Sequence, residues 1–479
     1  MNLFEYIVEQ LENLLAFLDP NKHRLKGKFM SASRVLKRRH KGFNIGGKSI
    51  SPKLSMEGVL INGETGSYKT SGVIIRSILT VEGSQLIHDP SGELFELTSG
   101  ALAEKEATIY QLDFANPKRS LRFNPMLRAT TRSQITQLAT NLVLINGDDK
   151  GDDASFWNQK AIEVLYVLIS ILKTQEIKYQ NLSNVAYLLD LMQSKDTADY
   201  VDKLFSSCSA DDALFIKYSS IISQSPNTLS SVLGTAQTAV QLFSLDQTIA
   251  EVTATDTIGG FSDMRKELTA LYIHSSTSKM RYYSKITSIF LSQYFESFFE
   301  ELPSKEMLDF YYHLDELPIL SIGSLDIICA NIRKYRGAIM AVTQNAQAQL
   351  TAKYGRRADA ILSNLRTKMY LSADLQTATA LERTLGKYEF NDNQDGDKLK
   401  SRPVLIADEI MSLPPNRALV LVSGMRMIFA RVRPYFKIKK LRILTELPPY
   451  QSQGIISPTE VALLPLVELF PNLSSDETN

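Results

Sequence analysis

Cysteine is almost absent from this chain. Its 479 residues hold two, Cys208 and Cys329, far apart and without metal-ligand company. That argues against a disulfide scaffold and a thiolate metal site, and a reducing cytosolic compartment is the simple reading. Long apolar runs are lacking as well: no segment reaches 18 uninterrupted apolar residues, so no transmembrane helix is expected. The N-terminus has neither the basic start nor the cleavage site of a signal peptide. No charge of one sign dominates, since 53 Lys and Arg face 52 Asp and Glu, a formal net charge of +1. Any contact with nucleic acid must therefore come from local patches. Repeats and low-complexity tracts are also missing, and the length allows two or three domains with substantial cores.

One absence is local. From Pro20 to Met56 no acidic residue occurs, while eleven Lys or Arg do. A solvated collar and a polybasic contact to phosphate backbone or anionic lipid both fit that run. Ahead of it, Phe4, Ile7, Val8, Leu11, Leu14, Leu15 and Leu18 recur at helical spacing. Residues 1–56 thus form an amphipathic helical pattern followed by a basic segment, a composition that fits a peripheral membrane contact at the inner face of the cytoplasmic membrane, with a contact to protein or DNA as the alternative. The four acids in or just after the helical pattern argue against deep insertion. At the other end, residues 441–479 are rich in Pro and Ser, carry five acids against one Arg, and read as an extended, partly disordered tail.

Between these ends the chain changes character. GVLIN, SQLIHD, ATIYQLD, FYYHLDE, AIMAVTQ, KMYLSA and ALVLVSG are short apolar runs ending in polar or small residues. Such runs read as buried parallel strands, and the helical patterns between most of them predict a doubly wound α/β sheet. From about Leu127 to Phe261 the spacing turns helical with almost no strand signal, so an all-α domain is expected there as an insert. The sheet resumes near LTALYI (268–273) and runs to about Lys440. The expected divisions are 1–56, a nucleotide-binding domain split over 57–127 and 263–440, the all-α domain at 128–262, and the tail at 441–479.

The strongest chemical signal is Gly63-Glu64-Thr65-Gly66-Ser67-Tyr68-Lys69-Thr70, set between a strand pattern and the helical SGVIIRSIL. A strand, a tight loop and a helix N-terminus make a cradle of backbone N–H groups for phosphates. Lys69 would reach the β- and γ-phosphates of ATP, and the Thr70 hydroxyl would bind Mg²⁺. The usual pattern has Gly immediately before the Lys, and Tyr68 stands there instead, at a place that tolerates bulk poorly. A plain strand-to-helix turn is the alternative. A second signal is Asp315-Glu316 at the end of an apolar strand. In phosphate-transferring sites the first acid of such a pair holds the Mg²⁺ shell and the second orients or deprotonates water; a helix N-cap is the plain alternative. The next strand ends in Gln344, whose amide can sense the γ-phosphate or the attacking water, or merely make a turn. Upstream of it, Arg333-Lys334-Tyr335-Arg336 could supply an arginine finger to a neighbouring subunit or simply cover the surface.

Taken in order, these pieces resemble the TraG/TraD-type coupling proteins of conjugation and type IV secretion, within the FtsK/HerA-like translocases. Further matches are Lys28-Phe-Met-Ser-Ala-Ser-Arg34, the box Asp89-Pro-Ser-Gly-Glu93 with Ser91 in place of Lys, Phe123-Asn124-Pro125, and Phe156-Trp157. So are Leu314 to Leu317, Ile332 to Tyr335, Gln344 to Leu350, Arg402-Pro403, Asp408 to Ile410 and Ala418 to Val422, so that the resemblance covers about 28–436. It implies a RecA-like P-loop domain with an inserted all-α domain, forming a homo-oligomer, a hexameric ring, with ATP between subunits. Glu316 would be the base, Thr70 and Asp315 the Mg²⁺ ligands, and Arg333 the finger in trans. Its partners would be single-stranded DNA or a relaxase cargo, together with type IV secretion channel components. Membrane-anchored members begin with two transmembrane helices, a pattern not found here. The rival to an ATP-driven motor is a non-catalytic adaptor whose altered loop binds nucleotide weakly and which only recruits cargo.

Overall fold

The computed structural model of the chain describes residues 29–145, 152–194, 196–207, 212–275, 277–391, 399–451 and 457–471. The helical pattern at 3–18 lies outside them. Its centre is a nine-stranded sheet, numbered here in chain order: β1 Val59–Asn62, β2 Ser84–Asp89, β3 Thr108–Asp113, β4 Thr269–His274, β5 Phe310–Leu314, β6 Gly337–Thr343, β7 Thr367–Tyr370, β8 Arg417–Val422 and β9 Ile428–Arg431. The spatial order is β9-β8-β7-β1-β6-β5-β2-β4-β3, with β7 through β3 all parallel.

Alternation decides what each face packs against. Leu60, Leu86, Leu271, Tyr312 and Ile339 point into one apolar layer, where the helix Met280–Phe298 and the all-α domain meet the sheet. Ile61, Ile87, Tyr272, Tyr311 and Met340 point the other way. There they are covered by the helices Ile75–Thr80, Glu93–Ala103 and Lys439–Thr445. Burial on both faces is why the central strands read as unbroken apolar runs.

Between β3 and β4 the described chain is helical, with long elements at Arg132–Leu144, Asp152–Leu172, Leu182–Gln193, Ala198–Ser207, Asp212–Ile222 and Pro226–Val240. Entry to this domain is fixed by Asn124. Its side-chain oxygen accepts from the Met126 and Leu127 N–H groups, capping the turn begun by Pro125. Its amide meanwhile donates to the Gln180 and Ala254 carbonyls at 2.8 and 2.9 Å.

Three expectations need correction. The run ALVLVSG was read as a parallel strand, but β8 pairs antiparallel with both β7 and β9. A connection of only a few residues joins β8 to β9, and such a link can only reverse the chain. The segment before Met56 is not a unit apart from the sheet: Arg34, Arg38, Arg39, Lys41 and Lys53 are exposed, as a solvated collar would have them, but Val35, Leu36, Phe43, Ile45 and Ile50 are buried in the second apolar layer. Nor are residues 457–471 a loose tail. They strap the all-α domain, with Leu464 and Leu466 buried and the Leu464 N–H donating to Asn184 at 2.7 Å.

Candidate nucleotide site

β1 delivers the loop 63–70 at the C-terminal edge of the sheet. Asn62, at the root, is buried. Its side-chain oxygen accepts from the Ala346 N–H at 2.8 Å and the Thr343 hydroxyl at 3.2 Å, joining the loop to the end of β6. Two glycines are needed for different reasons. A Cβ on Gly63 would stand 2.6 Å from Ser67 Oγ and 2.9 Å from Leu371 Cβ, whereas Gly66 takes φ +84° in open space. Ser67 closes the turn by donating from its hydroxyl to the Glu64 carbonyl at 2.6 Å. The helix that follows opens with a wide π turn, Thr70–Ile74, before tightening at Ile75.

Tyr68 adopts φ +64°, the left-handed conformation that a glycine would take without strain. Its ring is half-buried against the second apolar layer while the residue also borders the cleft. Tyr68→Gly removes roughly 1 kcal/mol of backbone strain and gives back a similar amount in chain entropy. Losing the half-buried ring costs packing as well, so stability should fall by about 1 kcal/mol, while affinity for a non-hydrolysable ATP analogue should rise severalfold by isothermal titration. Binding weaker than wild type would show that the ring itself contacts the nucleotide.

A cavity of about 310 Å³ opens at this edge, lined by Glu64, Thr65, Gly66, Tyr68, Lys69, Thr70, Ser71, Glu93, Asp315 and Glu316. The Lys69 ammonium donates to the carbonyls of Gly63 at 2.5 Å and Glu64 at 3.1 Å. Burial lowers its pKa, and the carboxylates of Glu316, Asp315 and Glu64 work against that shift. β6 lies between β1 and β5, which sets Gln344 beside the acidic pair. The Gln344 amide donates to Glu316 Oε1 at 3.0 Å. Glu316 holds φ +50°, and its N–H donates to Asp315 Oδ1 at 3.1 Å. Side chains from three non-consecutive stretches of sequence therefore converge on one cleft.

Arg333 is not among them. It follows a helix at the opposite, N-terminal edge of the sheet and pairs with Glu57 at 3.1 Å, just before β1 begins. One strand length, about 13 Å for four residues, separates it from the cleft of its own chain.

Two residues escaped the sequence reading. Glu93 lines the cavity, and the box containing it was noted only as a resemblance. His88 was not noted at all. It is buried at the end of β2, and its Nδ1 donates to the Asp315 carbonyl at 2.6 Å, holding the backbone of the acidic pair. Burial pushes the imidazole down to about 4, so it is neutral at physiological pH. A buried His inside an apolar strand was the available signal.

Asp315 is pushed up to about 7, first by burial and then by the Glu316 and Asp89 carboxylates, with Lys69 opposing. The folded state keeps this proton to neutral pH, while the unfolded chain releases it near 4. Stability therefore falls as pH rises between those values. Without nucleotide, Asp315→Asn should melt a few degrees above wild type at pH 8, with the gap narrowed to about a third at pH 5 and gone near pH 4. A pH-independent gap would assign the strain to something other than this carboxyl.

Among the described residues no group of three His, Cys, Asp or Glu could hold a metal unaided. The donor set here, one hydroxyl and one carboxylate beside a helix N-terminus, suits Mg²⁺ that brings phosphate oxygens and water with it.

Fold and site together define a RecA-like P-loop protein with an all-α domain. Residues 18–454 match the family described as Type IV secretory system Conjugative DNA transfer, and the chain belongs to that family. It is similar to protein VirD4 of Agrobacterium fabrum (strain C58 / ATCC 33970), at 24% identity over 426 residues, 81% of this chain and 60% of that one. Protein VirD4 of Rhizobium rhizogenes is 23% identical over 421 residues, with the same coverage. The chain thus spans about 60% of the length of these curated relatives. Among solved structures, the plasmid coupling protein TrwB in complex with ADP and Mg²⁺ superposes with a TM-score of 0.67 at 17% identity, covering 90% of this chain and 96% of that one. TrwB with the non-hydrolysable GTP analogue GDPNP gives the same score over 89% of this chain and 96% of that one. At such identity the likeness carries the fold.

Proposed function

We propose that this coupling protein is an ATP-driven motor that moves DNA, alone or with an attached relaxase, toward a type IV secretion channel. The observation that carries this reading is the meeting of Lys69, Thr70, Asp315, Glu316 and Gln344 around one cleft. Lys69 would leave its two loop carbonyls for the β- and γ-phosphates of ATP, while Thr70 and Asp315 hold Mg²⁺. The metal neutralises phosphate charge. Glu316 Oε accepts the proton of the attacking water, and Gln344 keeps that carboxylate oriented. The ring would be hexameric, with each cleft completed by a neighbour. Turnover of ATP by the full chain, with and without single-stranded DNA, tests the motor; DNA-stimulated hydrolysis is expected.

Arg333 reaches no cleft in its own chain, so any part it plays is in trans. Mixing Arg333→Ala with Glu316→Gln protein should restore part of the activity, because some mixed interfaces keep both an intact base and an intact finger. If subunits exchange and no mixture beats its parents, the finger lies elsewhere.

A second reading rests on Lys69, already satisfied by carbonyls, and on the strained Tyr68. A loop so disposed could leave the protein as an adaptor that recruits cargo without hydrolysis. Absence of measurable nucleotide binding by both wild type and Tyr68→Gly would favour it.

A further inference from the structure

One cation inside the sheet has no part in the nucleotide cleft. Lys368 belongs to β7, where its register partners are Leu60 of β1 on one side and Leu421 of β8 on the other. Paired residues share a face of a sheet, so its side chain leaves β7 on the same side as those two leucines. There it meets a cavity of about 280 Å³. Leu362 and Leu381, from the helices Arg357–Asn364 and Leu375–Leu385, complete the apolar walls. Among the described residues that line this cavity there is no Asp or Glu. Lys368 is only partly accessible and makes no hydrogen bond or ion pair among the described residues; burial, with no charge opposing it, lowers its pKa. A leucine here would pack against its neighbours without electrostatic cost, whereas a partly desolvated ammonium without a counter-charge is unfavourable. Two residues on, Tyr370 lines the same cavity, and its hydroxyl is likewise without a partner among the described residues. Thr377 and Thr384 add hydroxyls from the covering helix.

We propose that this cavity binds a small organic carboxylate and that its occupant acts on the nucleotide loop. Apolar walls with a few convergent polar groups are the ordinary make-up of a ligand pocket. One ammonium and one phenol match one carboxylate, and the leucines match its apolar body. A phosphate dianion suits the cavity less well. The first turn of Leu375–Leu385 is the other source of positive potential here, and Asp374 already caps it, accepting from the Thr377 N–H at 2.9 Å. The link to the nucleotide loop runs through Asn62, which lines the cavity and stands at the root of that loop. Its amide donates to the Ser372 carbonyl at 3.4 Å, and the Ser372 hydroxyl accepts from the Glu64 N–H at 2.6 Å. Ser372 follows Tyr370 by two residues, so a ligand held between Lys368, Tyr370 and Asn62 bears on the loop 63–70 from behind.

The probe is benzoate, with benzamide as its uncharged isostere, added to the full chain without nucleotide and followed by saturation-transfer NMR. Benzoate should bind with a Kd of about 1 mM, in keeping with a ligand of so few atoms. Benzamide should bind about tenfold more weakly or worse. Lys368→Met keeps the unbranched stem and removes the charge. It should lose benzoate by about tenfold or more while melting no lower than the wild type, a separation that a purely structural lysine would not give. Thr384→Trp, at an exposed position on the rim, should block entry with Lys368 intact. Saturating benzoate should also slow hydrogen exchange of the 63–70 amides in wild type and leave it unchanged in Lys368→Met. Four results overturn the proposal: no benzoate binding at about ten times the expected Kd, equal binding of benzamide, an unaltered Kd in Lys368→Met, or exchange at 63–70 that benzoate does not change. The second and third would mean adventitious binding only. None of these readouts involves ATP, so this site and the motor fail separately.

Discussion

Glu316→Gln should lower ATP turnover by about 10²–10⁴-fold while leaving nucleotide affinity near that of the wild type. Lys69→Ala should lose affinity as well. The two substitutions act on different terms. Gln at 316 keeps the shape of the side chain and a bond to Gln344, whose amide now donates to Glu316 Oε1 at 3.0 Å. What it loses is the capacity to take a proton. Alanine at 69 removes the only cation lining a cavity that also carries Glu64, Glu93, Asp315 and Glu316. A triphosphate entering among four carboxylates without that ammonium meets charge of its own sign, and binding should fail before chemistry begins. Titration with a non-hydrolysable analogue and single-turnover kinetics separate the cases. Equal loss of affinity in both variants would show that Glu316 binds rather than activates.

The site was legible because its members carry their own spacing. A glycine loop between strand and helix, and two acids ending an apolar strand, are local patterns. Eight of the nine sheet strands were visible for the same reason, since burial on both faces leaves unbroken apolar runs such as that of β6. The exception was β9, an edge strand in which buried and exposed residues alternate, so that Phe429 and Arg431 face outward and dilute the signal. The antiparallel turn of β8 was hidden because an apolar run has no direction. The docking of residues 457–471 was hidden for another reason. Ser457, Thr459 and Ala462 are held largely through backbone groups, and a carbonyl that accepts a bond leaves no mark on composition. His88 acts through the backbone of Asp315, a contact between distant strands that no sequence window contains.

Arg122→Ala should destabilise the protein by about 3 kcal/mol or more, as much as truncating a large buried core side chain. Arg122 stands where the chain leaves β3 for the all-α domain, and it is only 1% exposed. Its Nη1 donates to the carbonyls of Pro117 and Ser120 at 2.7 and 2.8 Å, fixing the loop after β3. Its Nη2 donates to Glu251 Oε1 at 2.7 Å, at the far end of the all-α domain. Nε donates to the Thr459 hydroxyl at 2.8 Å, and Nη2 also reaches the Ser457 carbonyl at 3.3 Å. One guanidinium thus ties the entry of the domain, its exit and the strap that crosses it. Removing it leaves Glu251 half-shielded without its cation and strands several carbonyls, the situation in which breaking a buried pair costs most. Thr459→Val removes one of these bonds and should cost about 1 kcal/mol. Hydrogen exchange distinguishes local from global damage. In Arg122→Ala, amides of 457–466 and of the helix Leu182–Gln193 should lose protection before those of the central strands, because the strap is held to that helix through Asn181 and Asn184. Denaturant unfolding within 1 kcal/mol of wild type, with the strap still protected, would mean that the leucines at 464 and 466 hold it without help from Arg122.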